Sequence, residues 1–215
     1  MAQRWDDAER DIPVGSLLKP FQAVAYGRTQ RTFPVFRCIG KKTCWLSRGH
    51  GTLHIREAIA FSCNSYFHQL VTDGGRDFTA AMNSFQIHSV GSSTEPRSPQ
   101  NAAPLALARA YLELANNTQD RAVAPVLQGM ALSAQKGTGR AAGAALPDIA
   151  ILVKTGTAPC THARKAPGDG FALLITPAEP ARAVLLVRVH GRPGFVAAGV
   201  AGRMIAAVET IGQSR

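Results

Sequence analysis

Three short apolar segments in the last third of the chain constrain its fold more than any other feature. They cover residues 149–153, 171–175 and 183–189, and prolines, glycines or charged residues bound each of them. Apolar runs of this length between turn residues are typical of buried strands. The loop-rich spacers between them favour an antiparallel meander over crossover helices. The sequence therefore predicts a small antiparallel sheet near the C-terminus.

Helical patterns come before and after these strands. Apolar residues at helical spacing and flanking turn residues predict helices at residues 16–26, 54–60, 65–72, 101–116, 122–136 and 195–211. Residues 27–51 are interrupted by Pro and Gly and are interpreted as a loop with short pieces, and residues 89–100 as a connector. The predicted order is helices over about 16–136, strands over about 149–190 and a closing helix. This order predicts a single α+β domain covering residues 1–215.

Composition and charge limit the classes of function. The chain is 46% apolar and 18% charged, which is typical of a globular protein, and its polar N-terminus lacks the pattern of a signal peptide. No apolar run approaches the ~20 residues that cross a bilayer, so any membrane attachment depends on a segment outside this chain. The net charge of +10 permits an anionic partner. We expect no nucleic acid partner, because the aromatic residues form no stacking platform.

Three motifs occur in order along the chain: Ser16-Leu17-Leu18-Lys19, Ser62-Cys63-Asn64 and Lys154-Thr155-Gly156. This is the S-x-x-K, S-x-N, K-T-G series, in which each motif supplies part of one site. A spacing of three residues on a helix places the Lys19 amine beside the Ser16 hydroxyl. A lysine whose pKa is lowered can then take the serine proton. We therefore predict Ser16 as nucleophile and Lys19 as its base.

The second and third motifs supply the other groups that an acyl transfer needs. Ser62 can relay a proton to the leaving group, and Asn64 can hydrogen-bond the substrate amide and Lys19. Lys154 adds a cation that lowers the pKa of Lys19 and attracts a carboxylate.

Substrate binding is assigned to the strand that carries the third motif. Thr155, Gly156 and Thr157 fit a strand edge along which an extended peptide can lie. The backbone N–H groups of Ser16 and Thr157 are the candidate oxyanion hole. A second S-x-x-K, Ser133 to Lys136, has no S-x-N between it and Lys154 and is interpreted as an ordinary helix end.

With these motifs in place, the sequence resembles the transpeptidase domain of penicillin-binding proteins, from about residue 12 to the C-terminus. The likeness includes a G-S-x-x-K-P-F segment, an "HG…EAL..SCN.YF" stretch, the helix before the K-T-G strand, the turn before it and a K-T-G-T-A form. These lie at residues 15–21, 49–67, 104–111, 137–139 and 154–158. The resemblance implies a β-lactamase/transpeptidase-like fold, with an antiparallel sheet packed against helices and an all-helical lobe.

The resemblance also implies an activity. Ser16 attacks the D-Ala-D-Ala bond of a peptidoglycan stem peptide, D-Ala leaves, and an amine of a second stem peptide resolves the acyl-enzyme. It further implies covalent inhibition by β-lactams, no cofactor, partners among cell-wall synthesis proteins, and an extracytoplasmic, cell-envelope location.

The N-terminus departs from the family pattern. Family members begin with one or two strands before the nucleophile helix, whereas about a dozen residues precede Ser16 here. We expect those strands to be missing or borrowed, and activity to be impaired if they are absent. A D,D-carboxypeptidase or β-lactamase-type hydrolase and a non-catalytic sensor or scaffold module stay open as alternatives. Hydrolysis ranks second because Glu113, a candidate base for water, lies on what looks like the wrong helix.

Cys38, Cys44, His50 and His54 form a C-x5-C-x5-H-x3-H pattern. Its spacing departs from the usual zinc finger, and His50 is explained by the family's H-G turn. The residues favour a Cys38–Cys44 disulfide over zinc, and we assign no metal ligand at this level. Cys63 is interpreted as a packing residue, like Cys160.

Overall fold

Helices dominate the first two thirds of the chain and the main sheet follows them. A computed structural model describes residues 5–6, 8–85, 101–160 and 168–213. The α-helices are α1 (Lys19–Thr29), α2 (Ile55–Ala60), α3 (Asn64–Asn83), α4 (Pro104–Asn116), α5 (Ala124–Lys136), α6 (Arg140–Ala145) and α7 (Gly194–Gln213). The strands are β1 (Ile12–Pro13), β2 (Phe36–Cys38), β3 (Gly51–Leu53), β4 (Asn101–Ala102), β5 (Leu152–Ala158), β6 (Asp169–Thr176) and β7 (Ala183–Val189).

The main sheet is the predicted antiparallel meander, in the order β5-β6-β7. Its register pairs Lys154 with Leu173 and Leu173 with Leu186. Every residue of β6 is buried, as expected for the central strand of the sheet. The α+β class with an antiparallel sheet is therefore confirmed.

The first predicted strand is displaced. We predicted it over residues 149–153, but β5 starts at Leu152 and continues to Ala158. The apolar run ends early because Lys154 and Thr155 are polar, although both are buried. Hydrogen bonding to β6 continues through them, so the K-T-G motif lies inside the strand.

Two apolar cores lie on either side of this sheet. One joins α1, α3 and α4 to the strands, and the other packs α6 and α7 onto them. In α7, Ala197, Ala198 and Ala201 are fully buried, and these small side chains let the helix approach β6 closely. The predicted closing helix is confirmed. None of the described helices has the length and apolar character that crossing a bilayer requires.

Several boundaries differ from the sequence predictions. The helix predicted to stop at residues 73–75 continues to Asn83 as α3, because Met82 and Phe85 beyond the glycines pack onto the core. Each helical glycine costs about 1 kcal/mol, which such packing offsets. The segment interpreted as loop contains β2 and the first residue of β3, which pair as a hairpin, and α6 was not predicted. The predicted connector at 89–100 lies outside the described residues.

Asp169 is a fully buried carboxylate at the start of β6. It accepts hydrogen bonds from the Arg188 guanidinium and from the backbone N–H of Gly191, and His190 Nδ1 lies 3.1 Å from Oδ2. Burial raises the pKa of Asp169, but the Arg188, Gly191 and His190 contacts outweigh it and lower the pKa to about 2. The carboxylate therefore ties β6 to β7 and to the turn before α7.

Asp169→Asn is expected to destabilise the fold by about 3 kcal/mol, because it leaves the Arg188 cation without its buried partner. The contribution of Asp169 is complete above pH ~4 and is lost as the pH falls toward its folded pKa of about 2. Urea unfolding at several pH values measures both effects. The exposed Asp148→Asn is the control; equal effects of the two substitutions would contradict this assignment.

Candidate active site

Ser16 lies in a 3-10 turn, Gly15–Leu18, that leads directly into α1. The predicted helix is therefore present, but its first turn is 3-10 and the α-helix begins at Lys19. The turn packs against β5: Gly15 has φ +55°, and a Cβ there would clash with the carbonyl oxygen of Thr157. A Cβ on Gly156 would lie 2.8 Å from the carbonyl oxygen of Val14. This contact places the first motif against the third.

Tyr111 holds the nucleophile turn from the other side. Its hydroxyl, on α4, donates a hydrogen bond of 2.5 Å to the carbonyl oxygen of Leu17, and its ring packs edge-on to Phe21 at 4.8 Å. Tyr111 is fully buried, so this carbonyl has no water to replace the phenol.

Tyr111→Phe is expected to lower stability by about 1 kcal/mol. It should also slow acylation of Ser16 by about three- to tenfold, since small displacements of a reacting group are costly. Labelling rates with a fluorescent penicillin and thermal unfolding measure the two effects. Tyr66→Phe is the matched control, because Tyr66 is also buried and donates to a backbone carbonyl, that of Pro34. An equal loss of acylation in both variants would assign Tyr111 a purely structural role.

Lys19 joins the first motif to the second. Its Nζ lies 2.7 Å from the carbonyl oxygen of Ser62, 2.6 Å from Oδ1 of Asn64 and 3.3 Å from the Ser62 hydroxyl. If the amine is neutral, its two N–H groups serve the carbonyl and amide oxygens. Its lone pair then stays available to a hydroxyl proton.

Lys154 brings in the third motif. Its Nζ donates to the Ser62 hydroxyl at 2.9 Å and to the carbonyl oxygen of Thr155 at 2.7 Å. The Ser62 hydroxyl therefore lies within 3.3 Å of both lysine nitrogens. Four of the five predicted catalytic side chains, Lys19, Ser62, Asn64 and Lys154, lie in this network. In the described part of the chain, Ser16 is joined to Lys19 by a backbone hydrogen bond, from the Lys19 N–H to the Ser16 carbonyl oxygen.

The electrostatics of the two lysines follow from burial. Burial lowers the pKa of Lys19 to about 7, against the opposing effect of the Cys63 and Cys44 thiols. Burial, with the nearby Lys19, also holds the pKa of Lys154 well below its ordinary value. Over the described residues, no carboxylate pairs with either amine. A neutral amine at Lys19 near pH 7 is the state that a general base needs.

The S-x-N motif forms the junction between α2 and α3. Ser62 adopts the left-handed conformation, φ 51°, which is unusual for a residue with a side chain. Backbone bonds from Ser62 to Ile59 and from Cys63 to Ala58 close the turn, and Asn64 then starts α3. This reversal points the Ser62 hydroxyl and the Asn64 amide at the same amine.

Thr138 and Trp45 also contact the site and were missing from the predicted set. The Thr155 hydroxyl donates to that of Thr138 at 2.6 Å, and the Trp45 indole N–H lies 3.2 Å from the carbonyl oxygen of Ser62. The Gly-Thr-Gly turn around Thr138 was a usable signal, whereas Trp45 comes from a loop with no motif. Thr157 was in the predicted set, but its hydroxyl bonds outside the network: it accepts a hydrogen bond of 3.0 Å from the backbone N–H of Gly194.

Other sequence candidates lie away from this network. Ser133 is in the last turn of α5, where its hydroxyl accepts from the Gly139 N–H at 3.1 Å. Glu113 is exposed on α4. Cys38 and Cys44 are both free thiols, so the favoured disulfide is wrong for this structure. They lie instead beside His50.

Solved structures with the same architecture are D,D-transpeptidase domains or penicillin-binding proteins. The D,D-transpeptidase domain of a peptidoglycan glycosyltransferase from Eggerthella lenta superposes with a TM-score of 0.76 at 20% identity, covering 97% of this chain and 68% of its own. Penicillin-binding protein PBP2 of Helicobacter pylori, solved with MreC, gives 0.80 at 15% identity, covering 96% of this chain and 51% of its own. This chain has the fold of a penicillin-binding protein transpeptidase domain.

Another neighbour of this fold is PBP2 of Pseudomonas aeruginosa, solved in complex with WCK 5153. Its TM-score is 0.73 at 20% identity, with 94% of this chain and 60% of that chain covered. The chain thus spans between about half and two thirds of the length of these neighbours. No protein-family model and no curated protein sequence matches it. The resemblance inferred from the motifs is confirmed at the level of the fold.

Proposed function

We propose that this chain is a penicillin-binding serine D,D-transpeptidase that acts on D-Ala-D-Ala stem peptides through an acyl-enzyme on Ser16. One observation carries the proposal: two buried lysines from separate motifs converge on the Ser62 hydroxyl beside the turn that bears Ser16. A buried pair of amines with no carboxylate partner among the described residues is costly for stability, and proton transfer explains why such a pair is kept.

The acylation step moves one proton and exchanges one bond. Ser16 Oγ forms an ester bond with the penultimate D-Ala carbonyl carbon, and the C–N bond to the terminal D-Ala breaks. The Ser16 proton passes to neutral Lys19 and, through the Ser62 hydroxyl, to the leaving amine. Lys154 donates to Ser62 throughout and so orients its lone pairs. An amine of a second stem peptide then displaces Ser16 from the ester.

Substrate positioning is assigned to β5 and the nucleophile turn. The backbone N–H groups of Ser16 and Thr157 are proposed as the oxyanion hole, which the packing of Gly15 against Thr157 supports. Thr155 and Gly156 are proposed to line the extended peptide. A substrate carboxylate would find the Lys154 amine and the Thr155–Thr138 hydroxyl pair nearby.

Acylation is expected to rise with pH through neutrality. Lys19 has a pKa of about 7 in the folded chain, so the neutral base increases about tenfold per pH unit below 7 and levels off above about pH 8. Stopped-flow acylation by a β-lactam between pH 5 and 9 measures this profile. A rate that is flat across this range would contradict Lys19 as the base.

Labelling with a fluorescent penicillin tests the proposal. The folded chain should become covalently labelled, and Ser16→Ala should not. Ser133→Ala, which alters the second S-x-x-K, should retain labelling. A folded sample without labelling, or equal labelling of Ser16→Ala, would overturn the proposal.

The same assay separates the alternatives. Release of D-Ala with transfer to an added amine is expected. Turnover of a chromogenic cephalosporin well beyond one equivalent would favour a hydrolase. A stable acyl-enzyme without D-Ala release would favour a non-catalytic module.

The setting proposed for this activity is the cell envelope, where stem peptides and β-lactams are encountered. The partners proposed are other cell-wall synthesis proteins; the H. pylori PBP2 neighbour was solved in complex with MreC. We also propose that residues 1–215 belong to a single transpeptidase-like domain.

A further inference from the structure

A second cluster of reactive side chains lies behind the S-x-N turn. Cys38, Cys44, His50 and Cys63 each direct one potential ligand atom to a common point, and these four atoms all lie within 4.8 Å of one another. The three cysteines are buried and His50 is half-buried. All three cysteines are free thiols.

Three of the six distances within the cluster are close to those of a tetrahedral metal site. Zinc–sulfur bonds of about 2.3 Å and zinc–nitrogen bonds of about 2.0 Å require S···S edges of about 3.8 Å and S···N edges of about 3.6 Å. The Cys44 and Cys63 sulfurs are 3.9 Å apart. His50 Nδ1 lies 3.6 Å from the Cys38 sulfur and 3.4 Å from the Cys44 sulfur.

Three separate pieces of the chain build this arrangement. Cys38 ends β2, where its pairing with Gly51 in β3 brings it next to His50. Cys44 follows the short 3-10 turn Lys41–Thr43, in a loop that closes by a 2.9 Å bond from the Lys41 N–H to Ser47. Cys63 is the residue that precedes α3. Ligands from three segments converge without any disulfide to hold them.

The His50 ring is aimed at the sulfurs by its neighbours. It stacks on Phe61 with a centroid distance of 6.0 Å and meets the edge of Trp45 at 5.3 Å. In the described part of the chain, Nε2 has no hydrogen-bond partner, so the cysteine thiols are the polar neighbours of this ring.

We infer that Cys38, Cys44, His50 and Cys63 bind one zinc ion. A buried Cys3His set fills all four tetrahedral positions, which is the arrangement of a structural zinc site rather than a catalytic one. Three sulfur ligands favour zinc over magnesium or calcium, which prefer oxygen. The pattern weighed from sequence had the wrong fourth ligand, because the His54 side chain instead caps α2: it accepts from the backbone N–H of Glu57, and the backbone N–H of His54 donates to the Glu57 carboxylate. Cys63 takes its place.

The ion would fix the S-x-N turn from behind. Cys63 lies between Ser62, which has the strained backbone, and Asn64, whose amide binds Lys19. A zinc bond to Cys63 ties this turn to the β2–β3 hairpin. The four ligands are therefore positioning residues, and their effect on acylation, unlike zinc binding itself, rests on the proposed function.

Metal content tests the inference directly. The chain, purified in reducing buffer without chelator, should contain about one zinc per molecule by elemental analysis. Cobalt substitution should give thiolate-to-cobalt charge-transfer absorption. Cys44→Ser and His50→Ala should lose most of the metal, whereas His50→Cys should retain it and Cys160→Ser, outside the cluster, should match the wild type. Folded, fully reduced chain that neither contains nor takes up zinc would overturn the inference, as would a disulfide within the cluster.

Activity is read on the same samples, so that the two proposals fail separately. Chelation should slow penicillin labelling at least tenfold and zinc should restore it. Full zinc occupancy without any labelling would count against the acyltransferase and leave the metal site standing. Labelling at the full rate in chain shown to lack zinc would remove the positioning role.

Discussion

Lys19→Ala is expected to slow acylation of Ser16 by about 10²–10⁴-fold, the usual range for loss of a general base. The amine contacts Ser62 and Asn64 at once, so its removal also takes away the group that holds the S-x-N turn against α1. Single-turnover labelling with a fluorescent penicillin measures the rate, and thermal unfolding checks that the variant folds.

Lys136→Ala provides the control, since it removes the lysine of the second S-x-x-K from an exposed position at the end of α5. It should acylate at the wild-type rate. If Lys19→Ala, once shown to be folded, kept more than a third of the wild-type rate, another group would have to be the base.

Lys154→Met is expected to separate activity from stability. The variant should lose about 10²-fold or more in acylation, because Ser62 loses the donor that orients it. It should nevertheless be more stable, by about 1–4 kcal/mol, since a buried amine without a carboxylate partner among the described residues gives way to an apolar chain of similar size.

The pH dependence of the free energy of unfolding gives a second test of the Lys154→Met prediction. The pKa of Lys154 is lowered well below 10.5 in the folded chain, so the unfolded chain binds more protons than the folded chain over a range of pH below 10.5. Wild-type stability should therefore rise with pH across that window, and Lys154→Met should rise less steeply. Urea unfolding between pH 6 and 9 measures the slopes; a destabilised Lys154→Met with an unchanged slope would contradict the account.

The sequence predicted the residues of the candidate site better than the bonds between them. Spacing of three residues suggested a direct Ser16–Lys19 pair, and the S-x-N motif suggested a bond between Asn64 and Lys19. The structure has the Asn64 bond and adds contacts from Lys19 to Ser62. The first turn is 3-10, which keeps side chains three residues apart on one face, so the difference arises from the Ser62 and Asn64 oxygens that hold the Lys19 amine. Local spacing could not reveal the contact between Lys19 and Ser62, which are 43 positions apart in the sequence.

Elsewhere the predictions failed where tertiary contacts override local pattern. The buried Lys154 and Thr155 hid the second half of β5, and packing of Met82 carried α3 through two glycines. The cluster behind Ser62 was missed because its fourth member, Cys63, lies 13 positions beyond His50 and belongs to another motif. The antiparallel meander and closing helix were predicted correctly, since their apolar runs are bounded by clear turn residues.

Peptide mapping after acylation tests the central claim most directly. Trypsin is expected to release residues 11–28 as one peptide, because proline follows Lys19, and this peptide contains Ser16 as its single serine and no threonine. After reaction with benzylpenicillin, mass spectrometry should place one penicilloyl group on this peptide. An adduct on residues 122–136, which contain Ser133, or no adduct on folded chain, would contradict the account.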